Sequence, residues 1–147
     1  MIDTCSSEPV TVEGGCHCGA VRYRALLSEG YASARRCNCS YCEKRGAVAL
    51  SVPLDGLEIL KGTEALSTYQ FNTGAAQHHF CSRCGIYTHH RRRSNPNQFG
   101  LNAATIDGVS PFDFSSVDVL NGRQHPRDVP EGEWKARAGT LTFTPEP

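Results

Sequence analysis

Seven of the chain's eight cysteines fall into three tight clusters: Cys16-x-Cys18, Cys37-x-Cys39-x2-Cys42 and Cys81-x2-Cys84, with Cys5 apart from them. Two close sulfur pairs far apart in sequence are the usual framework of a tetrahedral four-thiolate zinc site, each pair on a tight turn and the metal clipping the turns together. Cys16, Cys18, Cys81 and Cys84 meet that description. Each pair is followed at once by a glycine, Gly19 or Gly85, which can take positive φ and turn backbone N–H groups toward the sulfurs. Iron in the same sulfur cage is the rival metal, and inert buried thiols or disulfides are the bland alternative. Cys5 precedes the expected strands and reads as a free thiol.

Cys37, Cys39 and Cys42 are one sulfur short of a closed site. Either a histidine completes it, His17, His78, His79, His89 and His90 being available, or the fourth position stays open for water or substrate. Three thiolates on Zn²⁺ leave a unit of net charge −1, which damps Lewis acidity and acidifies bound water less than a three-histidine site does. A thiol is softer and more acidic than water and can replace it as a fourth sulfur ligand, so the set suits thiol chemistry better than hydrolysis.

The elements that must hold these clusters are short. At 147 residues the length suits one domain, with residues 1–13 read as an N-terminal tail, 14–147 as the zinc-binding domain and a polar extension from about residue 121. Strand signals run over Val21–Ala25, Ala47–Val52, Leu57–Leu60, Leu66–Phe71, Ala76–Cys81, Ile86–His89, Gln98–Leu101, Val117–Leu120 and Thr140–Thr144, separated by turn residues. Only Ser40–Arg45 suggests a helical turn, so the expected class is all-β with little helix. Asn121–Gly139, with Pro126 and Pro130, reads as a long surface connection. The core is expected to be thin, with metal supplying part of the stability.

Charge narrows the function. Fifteen basic and fifteen acidic residues cancel, which counts against nucleic-acid binding, as does the lack of interleaved aromatic and basic residues. The opening MIDTCSSEPV carries neither a basic nor an apolar leader-like region, and no apolar run is long enough to cross a bilayer, so the expectation is a soluble cytoplasmic protein in which clustered cysteines bind metal. The dense basic run His89–Asn97 reads as a solvated strand end. Its functional reading is that Arg91, Arg92 or Arg93 grips a carboxylate of an acidic thiol, with alternation pointing Arg91 and Arg93 one way and Arg92 the other. Asn102 offers an amide either to a peptide-like ligand or to neighbouring backbone. Phe71, Phe80 and Phe99 read as core, Trp134 as a loop pin or interface residue, His79 as an orienting hydrogen-bond partner near the metal, and His78 as solvent-facing.

GGCHCGAVRY, RRCNCSYCEKRGA, YQFNTGAAQHHFCSRCGIYT and SNPNQFGLNAATID, in that order over most of Gly14–Asp107, together resemble the glutathione-dependent formaldehyde-activating enzymes, which share a domain with centromere protein V. The resemblance implies several coiled short β-sheets, similar to the Rab-binding nucleotide-release-factor fold. It also implies two zinc ions, a structural one at Cys16, Cys18, Cys81 and Cys84 and a second at Cys37, Cys39 and Cys42 with an exchangeable fourth ligand. The implied activity is a carbon–sulfur lyase that joins glutathione and formaldehyde as S-hydroxymethylglutathione, with Cys37, Cys39 and Cys42 acting through zinc and Arg91, Arg93 and Asn102 as glutathione contacts. The competing expectation is a non-catalytic zinc module that carries a small thiol or meets a protein partner.

Overall fold

The computed structural model describes residues 1–124 and 128–147, so the Pro126 part of the expected C-terminal connection lies outside the described residues. Its elements are β1 (Val10–Gly15), β2 (Arg22–Leu27), β3 (Arg35–Cys37), α1 (Cys42–Arg45), β4 (Ala49–Pro53), β5 (Leu57–Lys61), β6 (Leu66–Tyr69), β7 (Gln77–Cys81), β8 (Tyr87–Arg91), β9 (Gln98–Asn102), β10 (Ser116–Leu120) and β11 (Arg137–Thr142). The protein is all-β. A three-stranded sheet runs β1-β2-β5 and an eight-stranded sheet runs β11-β10-β3-β4-β9-β8-β7-β6.

Period-two alternation explains how the sheets meet. In β2, Tyr23, Ala25 and Leu27 are buried while Arg24 and Leu26 point outward. They pack on Leu50 and Val52 of β4 and Leu101 of β9, and that shared core joins the two sheets. Leu50 pairs with Leu101, which pairs with His89 and then His79, so this row lies on the core side of the large sheet. The next row, Ser51, Gly100, His90, His78 and Tyr69, necessarily lies on the opposite face. That second face carries the chemistry.

Two local irregularities shape it. The β7–β8 register shifts between His79 and Phe80, leaving Thr88 as the extra residue, so Tyr87 and His90 face the same way although they are three residues apart. Gly100 has no side chain, and a Cβ there would lie 2.3 Å from the His90 ring. The imidazole occupies the space a larger residue would fill.

Residues 1–13 are more than a tail. Val10–Glu13 form most of β1 and pair residue for residue with β2. Ile2 packs against the core and its N–H donates to the Asp113 carbonyl at 2.9 Å. Pairing recruits this segment although its side chains are largely exposed, which is why its apolar signal is weak. The last strand begins earlier than expected, at Arg137, because it follows β10 antiparallel. No helix among the described residues is long and apolar enough to cross a membrane.

Candidate metal centre

Cys16 and Cys18 sit in the turn between β1 and β2, while Cys81 ends β7 and Cys84 lies in the turn that leads to β8. All four sulfurs lie within 4.8 Å of one another. Cys16 Sγ is 3.7 Å from Cys18 Sγ, and Cys18 Sγ is 3.8 Å from Cys81 Sγ. Metal–sulfur bonds of about 2.3 Å at tetrahedral angles require sulfur separations of about 3.8 Å, so the donor set fits zinc. Gly19 at φ 81° and Gly85 at φ 78° take the left-handed conformation, and a Cβ would meet nothing at either, so backbone geometry rather than space calls for glycine. The Val21 N–H donates to Cys16 Sγ at 3.3 Å. The N–H groups of Cys18 and Ile86 hold the Cys84 thiol down at about 6. A metal here ties the small sheet to the large one.

Cys37 ends β3 and Cys42 begins α1, with Cys39 in the turn between them, and their sulfurs also lie within 4.8 Å of one another. The Cys39 N–H donates to Cys37 Sγ at 3.4 Å and the Cys42 N–H to Cys39 Sγ at 3.3 Å. Hydrogen bonds from the Cys37 and Cys42 thiols and from backbone hold the Cys39 thiol far below the ordinary range. α1 ends at Gly46, whose φ of 68° lets the chain turn away after one helical turn. Over the cluster lies Gly122, where a Cβ would stand 2.4 Å from Cys37 Sγ and 3.0 Å from Cys39 Cβ. Its N–H donates to Asn38 Oδ1 at 2.8 Å, and Arg123 pairs with Glu43, so residues 122–123 are clamped across the three sulfurs. Among the described residues no histidine or carboxylate joins this set.

Arg45 connects the cluster to the sheet. It donates from Nη2 to Cys42 Sγ at 3.4 Å and from Nη1 to His78 Nδ1 at 2.9 Å, and its guanidinium lies 3.7 Å from the Tyr87 ring centroid. Arginine only donates, so His78 Nδ1 accepts and the proton of the neutral ring sits on Nε2. Burial, reinforced by Arg45, pushes His78 down to about 4. Tyr87 Oη lies 2.5 Å from His90 Nδ1 and donates to the Gly100 carbonyl at 3.1 Å. On the other flank, Arg35 donates from Nη1 to Ser51 Oγ at 2.9 Å, and burial followed by repulsion from Arg92 brings it down to about 10.

The remaining candidates are placed unevenly. Arg91 donates to the Pro96 carbonyl at 2.9 Å and Arg93 is exposed. Arg92 is the arginine of this run within electrostatic reach of Cys37, because it lies two residues beyond His90 and is held on the same face by Gln98 Oε1 at 2.7 Å. Asn102 is buried, donating to the Tyr87 carbonyl and accepting from the Ala104 N–H. His78, expected to face solvent, is buried between Tyr41 and His90. His79 stacks on His89 and bonds Thr68 Oγ1 at 2.9 Å. Of the aromatic residues expected in the core, Phe99 packs there, whereas Phe71 stacks on His78 and Phe80 lines the cleft beside Arg45. Trp134 pins its loop, donating to the Gln124 carbonyl. Arg45, Gly122 and Arg35 were missed. Arg45 alone had a readable signal, lying three residues after Cys42 in a helical turn and so on the same side.

A family model for the glutathione-dependent formaldehyde-activating enzyme matches residues 11–116, a span that includes all three cysteine clusters and so both ligand sets. A Halomonas elongata protein, provisionally named a glutathione-dependent formaldehyde-activating enzyme, is 42% identical over 82 residues, covering 50% of this chain and 51% of that protein. The chain thus spans about half the length of this curated relative. A Rhodobacter sphaeroides protein of known crystal structure is 50% identical and superposes with a TM-score of 0.72, covering 74% of this chain and 99% of that one.

Proposed function

The chain belongs to the glutathione-dependent formaldehyde-activating enzyme family, and from that premise we propose that it is a zinc-dependent carbon–sulfur lyase. In this reading it forms or cleaves the adduct between glutathione, or a similar thiol, and formaldehyde or another small electrophile. The observation that carries the reading is the set of Cys37, Cys39 and Cys42, whose sulfurs converge with no fourth ligand among the described residues. The closed set of Cys16, Cys18, Cys81 and Cys84 is structural.

When bound at the three-sulfur set, zinc supplies the Lewis acidity that keeps a substrate thiol in its thiolate form at neutral pH. The chain's own groups do the positioning. Gly122, having no side chain, lets the C-terminal segment lie close against Cys37, and the N–H groups of Cys39 and Cys42 together with Arg45 donate to the cluster sulfurs and spread their charge. His78 lies within electrostatic reach of Cys39 and, neutral at pH 7, carries a hydrogen-bond donor at Nε2. In adduct formation the thiol's S–H bond is broken and the sulfur–carbon bond forms, the carbonyl π pair moves to oxygen, and that oxygen takes up one proton from water in place of the one the thiol released to water; cleavage reverses each change. Seven clustered thiols with no disulfide among the described residues suit a reducing compartment such as the cytoplasm.

Exchange NMR of ¹³C-formaldehyde with glutathione tests the reading. Zinc-loaded wild-type protein should accelerate exchange between free aldehyde and adduct, whereas Cys39→Ser should leave the uncatalysed rate. Equal rates with and without the wild-type protein would refute it.

A further inference from the structure

The last strand is the least covered element of the protein. β11 lies at one end of the eight-stranded sheet, and all six of its residues are exposed. The Phe143 N–H donates to the Ser115 carbonyl, and Leu141 stands opposite Val117. Antiparallel alternation therefore turns the N–H and C=O groups of Thr140 and Thr142 away from β10, to the open edge. Natural sheets blunt such edges with charge, proline or brevity. Among the described residues the other sheet edges do so: β1 carries Glu13, β5 carries Glu58 and Lys61, and β6 is four residues long. Ala138–Thr144 has neither a charge nor a proline.

The side chains say what fits this edge. Leu141 shares a face with Val117, which is buried in the core, yet Leu141 is 48% exposed. Phe143 shares that face at 41% exposed and packs on Phe112, itself 63% exposed, with ring centroids 5.2 Å apart. The apolar face of the sheet thus runs out past its cover. Gly139 is an independent sign. It does not take positive φ, and a Cβ there would meet nothing within 4 Å, so nothing inside one chain calls for glycine in this strand. A strand glycine of this kind marks close approach by another chain segment.

We propose that β11 pairs antiparallel with β11 of a second copy, joining two large sheets across a two-fold axis at Leu141. In that register Thr140 of each copy exchanges hydrogen bonds with Thr142 of the other, and the two Leu141 side chains meet. Phe143 falls opposite Gly139 of the second copy, whose missing side chain leaves room for the ring. Charge selects the antiparallel sense. Lys135 and Arg137 open the segment and Glu146 follows it, so antiparallel copies set base against acid, whereas parallel copies set like against like. Lys135 and Glu146 are exposed and enter no ion pair among the described residues. The contact involves neither sulfur set and does not depend on the proposed reaction.

Sedimentation velocity over about 5–500 µM tests this, since an interface this small should dissociate at roughly 10–100 µM. Zinc-loaded protein is used, under reducing conditions that keep the exposed Cys5 from linking copies. The weight-average mass should rise from one chain toward two and no further, because two-fold pairing uses up the edge. Leu141→Lys sets two cations together at the axis and should weaken the pair by at least about ten-fold. Gly139→Val should weaken it by at least about three-fold, because the new side chain takes the space of Phe143. This second variant separates pairing from stickiness, since an added apolar, strand-favouring residue would strengthen unspecific association. Both positions are open within the chain, so urea midpoints should show each variant as stable as wild-type protein. A single-chain mass at every concentration, species larger than a dimer, undiminished pairing in Leu141→Lys, or association in Gly139→Val as tight as in wild-type protein would each overturn the proposal.

Discussion

Gly122→Ala probes the contact between the C-terminal segment and the three-sulfur cluster. The added Cβ would lie 2.4 Å from Cys37 Sγ, 3.0 Å from Cys39 Cβ and 3.1 Å from Cys39 N. An ordinary carbon–sulfur contact is longer by more than an ångström, and two of the three neighbours belong to a turn with little freedom to yield. Gly122 does not sit in the left-handed region, so the backbone accepts alanine and the effect is steric alone. Overpacking of this kind costs about 1–3 kcal/mol. Because the strain falls on the ligands, it should appear as roughly 5- to 150-fold weaker zinc binding at this cluster. Competition against a chromophoric chelator resolves the two sites. The Cys16, Cys18, Cys81 and Cys84 site should keep wild-type affinity, since it is built on different turns. Unchanged affinity at both sites in a folded Gly122→Ala protein would mean that residues 121–123 do not cover the cluster.

Arg45→Met removes the donor to Cys42 and the partner of His78, and should weaken zinc at the second site about 10- to 100-fold in the same competition assay, leaving the first site unaltered. Cys81→Ser opens the closed site at a fully buried ligand. Structural zinc contributes on the order of 10 kcal/mol, comparable to a domain's whole stability, so near-ultraviolet circular dichroism should show loss of fixed tertiary structure. Burial, then His79, pushes His89 down to about 3 from its ordinary 6.5, so below pH 6.5 the unfolded chain takes up a proton that the folded chain refuses. Its stabilising contribution is therefore complete above about pH 6.5 and lost as pH falls toward 3, at up to about 1.4 kcal/mol per pH unit. Urea midpoints should fall less steeply from pH 7.5 to 5.5 in His89→Gln than in wild-type protein, and parallel slopes would contradict this.

Strands with a buried face announce themselves in sequence, because alternation is local: β2, β4, β7 and β9 are all legible within a few residues. β1 and β3 are not. β1 is mostly exposed and is held by pairing with β2, while β3 is the three residues Arg35–Cys37, wedged between β4 and β10. The sulfur clusters are legible because their ligands come as a close pair or triplet at each turn, two pairs for one set and a single triplet for the other. Their surroundings are not, since which arginine faces Cys37 depends on the β8–β9 register and on the extra residue at Thr88. Alternation alone separates Arg92 from Arg91 and Arg93 without saying which side carries the site. Gly122 lies beyond the residues that carry the family likeness, and nothing in its local sequence marks a contact with Cys37 more than eighty residues earlier.

The most direct test of the account is zinc content per chain in wild-type protein and Cys39→Ser, with glutathione titrated into each. Two zinc ions in wild-type protein, one in the variant, and glutathione binding only to the former are the predicted results. A single zinc ion in wild-type protein, or glutathione binding indifferent to Cys39, would contradict an open thiol-binding metal site.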